Sequence, residues 1–353
     1  MEPKSVFCAG AGVIGSYLGP HLARIPEVEL ITLADPDFYT RANIAGQNID
    51  RSHVGRAKCV VQARLLKRIR PDLAVQAFQS RVEHIPAGFL RCDVICLCLD
   101  TRISRMYCCE IAKRLGVPVI DAAVLAGQFL VRITVYMHGR EAACIECGFG
   151  EEDYRNLEIP YSCMPEHATS YATNAPSFLG ALAAALQAAE CRKILTGQTA
   201  DSLAGKELVV GLQPHTHLVS RLRRNPDCRF DHAVWQLNDS VEPLLDKRLG
   251  VVLAHPSVEL SALGGRFVLR FTCTECGRKV PSLRFFRRGQ VIRVKCRNCG
   301  AACRPTPFDW ADRITCARLS GAQSEVTFRS IGLRQNDVLT VTGPEGFHHF
   351  LAR

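Results

Sequence analysis

The sequence predicts a doubly wound α/β domain followed by a small β-rich module. Three observations carry this. Short apolar runs alternate with segments of helical period as far as Leu195. A glycine loop, Gly10-Ala11-Gly12-Val13-Ile14-Gly15, joins the first apolar run to the first helix. Two Cys-x2-Cys pairs, Cys273/Cys276 and Cys296/Cys299, sit among short strands and turn residues from about 262 onward.

Residues 4–9 read as a buried strand, and the helix after the glycine loop runs to about Ile25. Glu29 to Leu33 is the second strand, ending at Asp35. Apolar residues at 57, 60, 61, 65 and 69 have helical spacing, and Pro71 lies just past them. Leu73 to Phe78 alternates as a strand. Asp93 to Leu99 is nearly all apolar, as in a strand buried on both faces. Next come a helix over Ile103–Leu115 and a strand over Val117–Ile120. Gln128 to Met137 alternates like an antiparallel strand with one wet face. Residues 150–174 have no clear period and are long for a loop, which points to a functional crossover or lid. Ala175 to Leu195 is an alanine-rich helix, and 206–212 and 216–221 read as strands. The expected organisation is a nucleotide-binding domain over 1–240, a linker over 241–261 and a zinc-ribbon module over 262–353.

With 353 residues and 47% hydrophobic content, the chain can bury a large core. Its net charge of +10 favours acidic partners without identifying nucleic acid. The longest apolar run, Phe178 to Ala189, is too short to span a bilayer, so no membrane role is expected. No N-terminal targeting signal is read, and the expected location is cytoplasmic. Eighteen cysteines in such a chain argue for metal sites and buried thiols rather than disulfides. Cys8, Cys92, Cys96 and Cys98 fall on apolar strands and read as small buried hydrophobes.

Gly10, Gly12 and Gly15 come after a strand and open a helix, the setting in which backbone N–H groups meet a phosphate. Asp35, at the end of the second strand, stands where an acid can accept hydrogen bonds from ribose hydroxyls. Alone, this pattern fits an NAD-dependent oxidoreductase as well as an ATP user.

The segment that begins at Asp35 resembles the ThiF/MoeB and ubiquitin-activating enzyme family. Asp35-Pro36-Asp37 and Asn43-Ile44-Ala45-Gly46-Gln47 are similar to the family's Asp-x-Asp and Asn-Leu-Asn-Arg-Gln. Val54-Gly55-Arg56-Ala57-Lys58 is similar to its Val-Gly-x-x-Lys, and Asp100-Thr101-Arg102-Ile103-Ser104-Arg105 to its Asp-Asn-x-x-x-Arg. Pro118 to Ala123 and Cys144 to Phe149 fall in the same order, so the likeness runs over roughly 5–235. It implies that ATP and the C-terminal carboxylate of a ubiquitin-like or sulfur-carrier protein form an acyl-adenylate. Lys58 would neutralise phosphate charge and Asp100 would hold Mg2+. Asp35, with Asp37 beside it, would bind ribose; Asn43 and Gln47 would contact phosphates; Arg105 would order the Asp100 segment. Each also has a plain reading: Lys58 on a solvated helix face, Asp100 as a helix cap. Two departures stand out. The family's arginine is Gly46 here, and only a few residues stand before the first strand, where MoeB-like members carry a helix. Arg41, Arg51 or a partner subunit would have to compensate.

The resemblance also places an acyl-accepting cysteine in the crossover, where Cys163 stands with His167 nearby; an unreactive loop thiol is the alternative. Cys144 and Cys147 form half a zinc site, which the family completes with two distant cysteines. Cys228 matches the first, and His232 takes the place of the second, giving Cys3His. Cys273, Cys276, Cys296 and Cys299 suit a closed, structural four-thiolate Zn2+ site. The basic hairpin between these pairs (Arg284, Arg287, Arg288, Arg293) can bind nucleic acid, but a protein partner suits the resemblance better. The family implies a homodimer or heterodimer and a conjugating enzyme as further partner. Three readings stay open: an activating enzyme, a catalytically impaired scaffold or heterodimer subunit, and an NAD-dependent oxidoreductase.

Overall fold

The computed structural model describes residues 3–158, 175–238 and 243–353. They fall into two compact units, residues 1–82 with 90–234 and residues 83–89 with 235–353.

The first unit is built on an eight-stranded sheet. Its strands are β1 (Lys4–Ala9), β2 (Val28–Ala34), β3 (Ala74–Phe78), β4 (Val94–Leu97), β5 (Val119–Leu125), β6 (Leu130–Tyr136), β7 (Lys206–Leu212) and β8 (His215–Arg221). The order is β3-β2-β1-β4-β5-β6-β7-β8. β1 to β5 are parallel, and β6, β7 and β8 extend the sheet antiparallel. The helices are α1 (Gly15–Leu22), α2 (Lys58–Ile69), α3 (Arg102–Leu115), α4 (Glu151–Glu158) and α5 (Ser177–Leu195). Parallel strands need crossover helices on both faces, which explains why Val94, Ile95, Cys96 and Leu97 of β4 are all fully buried. The β5–β6 hairpin turns the sheet antiparallel, as the alternation over Gln128–Met137 predicts. α5 packs its small residues against the sheet, with Leu179, Ala183, Ala184 and Cys191 in the same core as Val6, Cys96 and Ile133.

One element departs from the sequence expectation. The aperiodic stretch from 150 begins with a helix, α4. Its stability comes from ends and contacts rather than from an apolar stripe. Glu151, Glu152 and Asp153 sit at its positive N-terminus, and Asp153 accepts from Gly150 N–H at 2.9 Å. Asp153 also pairs with Arg102, and the Arg229 guanidinium lies 3.9 Å over the Tyr154 ring.

The second unit contains β9 (Leu237–Asn238), α6 (Leu249–Val252), β10 (Glu259–Ala262), β11 (Gly265–Cys273), β12 (Lys279–Arg287), β13 (Val294–Lys295), β14 (Ala302–Arg304), β15 (Trp310–Ala311), β16 (Arg313–Thr315), α7 (Gly321–Ser324), β17 (Val338–Gly343) and β18 (Gly346–Leu351). They form two sheets, β16-β10-β17-β18-β9 and β12-β11-β14-β13, with β15 joined to β11. The span expected as a linker is not one in its described part. Leu245, Leu249, Leu253 and Leu260 are buried in this unit's core with Phe267, Phe285 and Phe328. Its core includes a buried ion pair: Arg287 reaches both oxygens of Asp337 at 2.5 and 2.7 Å. No described helix is long and apolar enough to cross a membrane.

Candidate functional site

The loop between β1 and α1 is shaped by two close approaches. Gly10 has φ +95°, and a Cβ there would lie 2.4 Å from the Cys98 carbonyl oxygen. A Cβ on Gly15 would lie 2.0 Å from the Gly10 carbonyl oxygen. Gly12 differs, since a Cβ there would meet only Gln47 Nε2, at 3.9 Å. The outer glycines are therefore required by the fold. The middle one leaves bare backbone beside open space at a helix start, where N–H groups can approach a phosphate.

Ala11 is clamped on both sides. Asp35 Oδ2 accepts from its N–H at 2.7 Å, and the Tyr39 hydroxyl donates to its carbonyl at 3.0 Å. Gln62 Nε2 in turn donates to the Tyr39 hydroxyl at 2.8 Å. Asp35 Oδ1 accepts from Asp37 N–H at 2.8 Å, so each carboxylate oxygen already holds backbone. Burial pushes the Asp35 carboxyl above its ordinary pKa, while Lys58 and the two N–H donors pull it back. Neither Tyr39 nor Gln62 belongs to a sequence motif. Their bonds join residues 28 and 23 apart in sequence, and no local pattern encodes that.

Lys58 opens α2 and is doubly tied to Asp37. Its N–H donates to the Asp37 carbonyl at 2.9 Å, and Nζ lies 3.0 Å from Asp37 Oδ2. The Lys58 side chain is only 10% exposed, which rules out the solvated helix face, while that of Asp37 is 63% exposed. Asn43 Oδ1 accepts from Thr40 N–H and Oγ1 at 2.8 and 3.1 Å, capping a short 3-10 turn. Gln47 is buried, and its Oε1 has no hydrogen-bond partner among the described residues. The amide nitrogen is the end near Gly12, and the buried carbonyl oxygen is an acceptor awaiting a donor.

Asp100 comes just after β4 and is exposed. Thr101, with extended backbone, takes the N-cap position of α3, so Asp100 is not the cap. Arg105 reaches back from α3 to the Leu99 carbonyl and also donates to Ala122 O at 3.1 Å and to Asp121. Asp121 is fully buried and also accepts from Arg132 at 3.1 Å. Burial pushes its carboxyl up, and the two guanidinium groups oppose that. Asp121→Ala would strand Arg105 and is expected to cost about 3–5 kcal/mol, read as a lowered urea midpoint.

Gly46, where the family resemblance expects arginine, is hemmed in. A Cβ there would sit 2.7 Å from the Ala175 carbonyl oxygen. A larger side chain would require the backbone to move. Arg41 and Arg51 are both exposed. Cys163 lies outside the described residues.

Cys144, Cys147, Cys228 and His232 converge although they come from segments more than 80 residues apart. Cys144 Sγ is 3.9 Å from Cys147 Sγ, 3.7 Å from Cys228 Sγ and 3.3 Å from His232 Nε2. Cys147 Sγ is 3.5 Å from the same nitrogen. Tetrahedral zinc with Zn–S near 2.3 Å has S···S edges of about 3.8 Å, so the set fits Zn2+. His232 is fully buried, and its Nδ1 lies 3.1 Å from the Ala142 carbonyl, which turns Nε2 toward the thiols. Its backbone is left-handed, φ 57°, a conformation uncommon for residues other than glycine. His232 is thus no stray surface residue.

In the second unit the four remaining thiols also lie within 4.8 Å of one another. Cys273 Sγ is 3.4 Å from Cys299 Sγ, and Cys276 Sγ is 3.7 Å from Cys296 Sγ. Each pair ends in a left-handed glycine, Gly277 (φ 65°) and Gly300 (φ 75°), which turns the chain back over the thiols. This set also fits tetrahedral Zn2+ with no open position.

Several known proteins are similar to this chain. The SAMP-activating enzyme E1 of Haloferax volcanii is 25% identical over 229 residues, 63% of this chain and 78% of that protein. The adenylyltransferase and sulfurtransferase UBA4 of Candida glabrata is 26% identical over 150 residues, 42% of this chain. The match spans about a third of UBA4, 34% of its length. Among solved structures, Escherichia coli MccB with ATP superposes with a TM-score of 0.51 at 20% identity. That match covers 65% of this chain and 66% of that one, a likeness of fold alone. The ThiF family model matches residues 1–230, well over half the length, and the chain belongs to the ThiF family.

Proposed function

We propose that the first unit uses ATP to adenylate the C-terminal carboxylate of a ubiquitin-like or sulfur-carrier protein. The carboxylate attacks the α-phosphorus, an acyl-adenylate forms and pyrophosphate leaves. One arrangement carries the reading. A bare, clamped glycine loop stands with a buried lysine paired to Asp37, the orphaned Gln47 carbonyl, and Asp100 on a segment braced by Arg105. Gly12 and the α1 start would take phosphate, and Lys58 would oppose charge building on the leaving group. Asp37 is the more exposed acid for ribose, because Asp35 is engaged with backbone. Mg2+ held at Asp100 would neutralise phosphate oxygens. An NAD-dependent reading leaves Lys58 and Asp100 without a role. That two relatives are named as an adenylyltransferase and an activating enzyme supports the same class.

The crowding at Gly46 favours a second reading, a subunit that binds nucleotide but lacks full catalytic power. ATP–pyrophosphate exchange with candidate carrier proteins separates the two. Exchange that falls about a hundredfold or more in Asp100→Ala supports the enzyme. Binding of ATP without exchange, alone or with an added partner subunit, sinks it. A reductant-sensitive thioester lost in Cys163→Ala would assign the second step to that thiol. A homodimer or heterodimer with a conjugating partner belongs to the same proposal.

A further inference from the structure

The chain carries 44 Lys and Arg against 34 Asp and Glu. Residues 265–304, the four-cysteine ribbon, hold eleven of the bases and one acid, Glu275. The rest of the chain therefore has 33 of each and is neutral overall. The whole positive excess of the protein sits on the ribbon.

The structure sorts those charges. Arg287 is turned inward onto Asp337, so it does not belong to the basic surface. Arg266 pairs with Asp312, and Arg270 with Asp309. Arg278, Lys279, Arg293, Lys295, Arg297 and Arg304 are exposed and form no ion pair among the described residues. Strand register then gathers three of them. Lys279 on β12 is opposite Thr272 on β11, and Thr272 is opposite Arg304 on β14. Lys295 on β13 is opposite Ala302, two residues from Arg304 and so on the same side of the pleat. The other side carries Cys273 and Cys303, both buried. Neighbouring strands lie about 4.8 Å apart, so the three cations form a row across the sheet. Arg270 shares this side through Thr272, and its partner Asp309 fixes the turn that bears Phe308, 92% exposed.

We infer that this face of the ribbon binds the phosphodiester backbone of nucleic acid, with Phe308 beside it as a stacking surface for an unpaired base. A protein partner, which the family resemblance favours, presents mixed charges and an apolar centre, and its docking surface is depleted in charge. A face of one sign with an isolated aromatic matches a uniform polyanion whose bases have flat faces. Zinc held by Cys273, Cys276, Cys296 and Cys299 would fix the strands in register, so the site would be built before the ligand arrives.

The full-length protein is titrated into fluorescein-labelled single-stranded RNA and DNA of about 20 nucleotides, with anisotropy as the readout. Neither ATP nor a carrier protein is present, so failure of the adenylation reading does not bear on the result. Binding should weaken by about a hundredfold or more between about 50 and 200 mM salt. The variant Lys279→Ala/Lys295→Ala/Arg304→Ala should lose about tenfold or more at low salt, with a shallower salt slope. Phe308→Ala should weaken binding by about tenfold with the slope unchanged. Zinc content and melting of each variant show whether the ribbon is intact, and the corresponding Lys/Arg exchanges should restore binding. No binding at low salt overturns the inference, as does a triple variant with zinc retained and affinity unchanged. Displacement by polyglutamate as effective as by unlabelled RNA assigns the face to an acidic protein instead.

Discussion

Lys58→Met is expected to lower ATP–pyrophosphate exchange by about 10²–10³-fold while leaving the fold in place. The side chain is nearly buried, yet its ammonium meets Asp37 at 3.0 Å and lowers the Asp35 carboxyl from the value burial alone would give. One cation thus serves two acids at the end of β2, one of which holds Ala11 of the glycine loop. Methionine keeps the packing of the stem and removes only the charge. If the lysine serves the reaction, kcat falls more than the nucleotide dissociation constant rises. If it only neutralises the two acids, melting temperature falls and nucleotide affinity weakens, but kcat per bound nucleotide is kept. The second pattern would return Lys58 to a structural role.

The other large effect concerns metal. Cys144→Ser is expected to lower bound zinc from two ions per chain to one and the melting temperature of the first unit by about 10 °C or more. Cys276→Ser should lose one zinc as well, but leave that unit's transition where it is. The reason is which loop each site closes. Cys144 and Cys147 come after β6, whereas Cys228 and His232 come after β8, so one ion would tie together the two ends of a segment containing α4, α5 and two strands. His232→Cys is the informative control. It restores the all-thiolate set and should keep zinc, unless the left-handed backbone at 232 places the shorter side chain out of reach. Zinc retained in Cys144→Ser at wild-type stability would remove this site from the account.

Much of this is legible in the sequence because it is written in short-range patterns. β4 reads as buried on both faces since all four of its residues are apolar. The glycine loop reads as a phosphate site because it follows a strand and opens a helix, and the fold leaves no room for a Cβ at 10 and 15. Cysteine spacing announces the four-thiolate set and half of the other cluster, and the choice of Cys228 and His232 needs the family resemblance. The features that escape depend on distance. The Tyr39 hydroxyl on Ala11, and Gln62 behind it, are single hydrogen bonds across the chain with no period or spacing to betray them. α4 is hidden because its charged residues carry no apolar stripe, and its support comes from Arg102 and Arg229. The span 241–261 reads as a linker because its leucines are scattered between turns. Their burial depends on strands β11 and β12, which lie further along the chain.

Residues 83–89 belong to the second unit although they lie between β3 and β4 of the first. Gly88 donates its N–H to the Asn336 carbonyl at 2.8 Å, and a Cβ on it would strike Leu351. The covalent path therefore crosses from one unit to the other at three points, after 82, 89 and 234. On a ribosome, the seven residues 83–89 emerge early and must wait for Asn336, far along the chain. A chain stopped at 234 would keep those seven without Asn336 and Leu351, and a chain begun at 235 would lack them. The second unit is thus not joined to the first by a single link; an internal connection of the first supplies part of it as well.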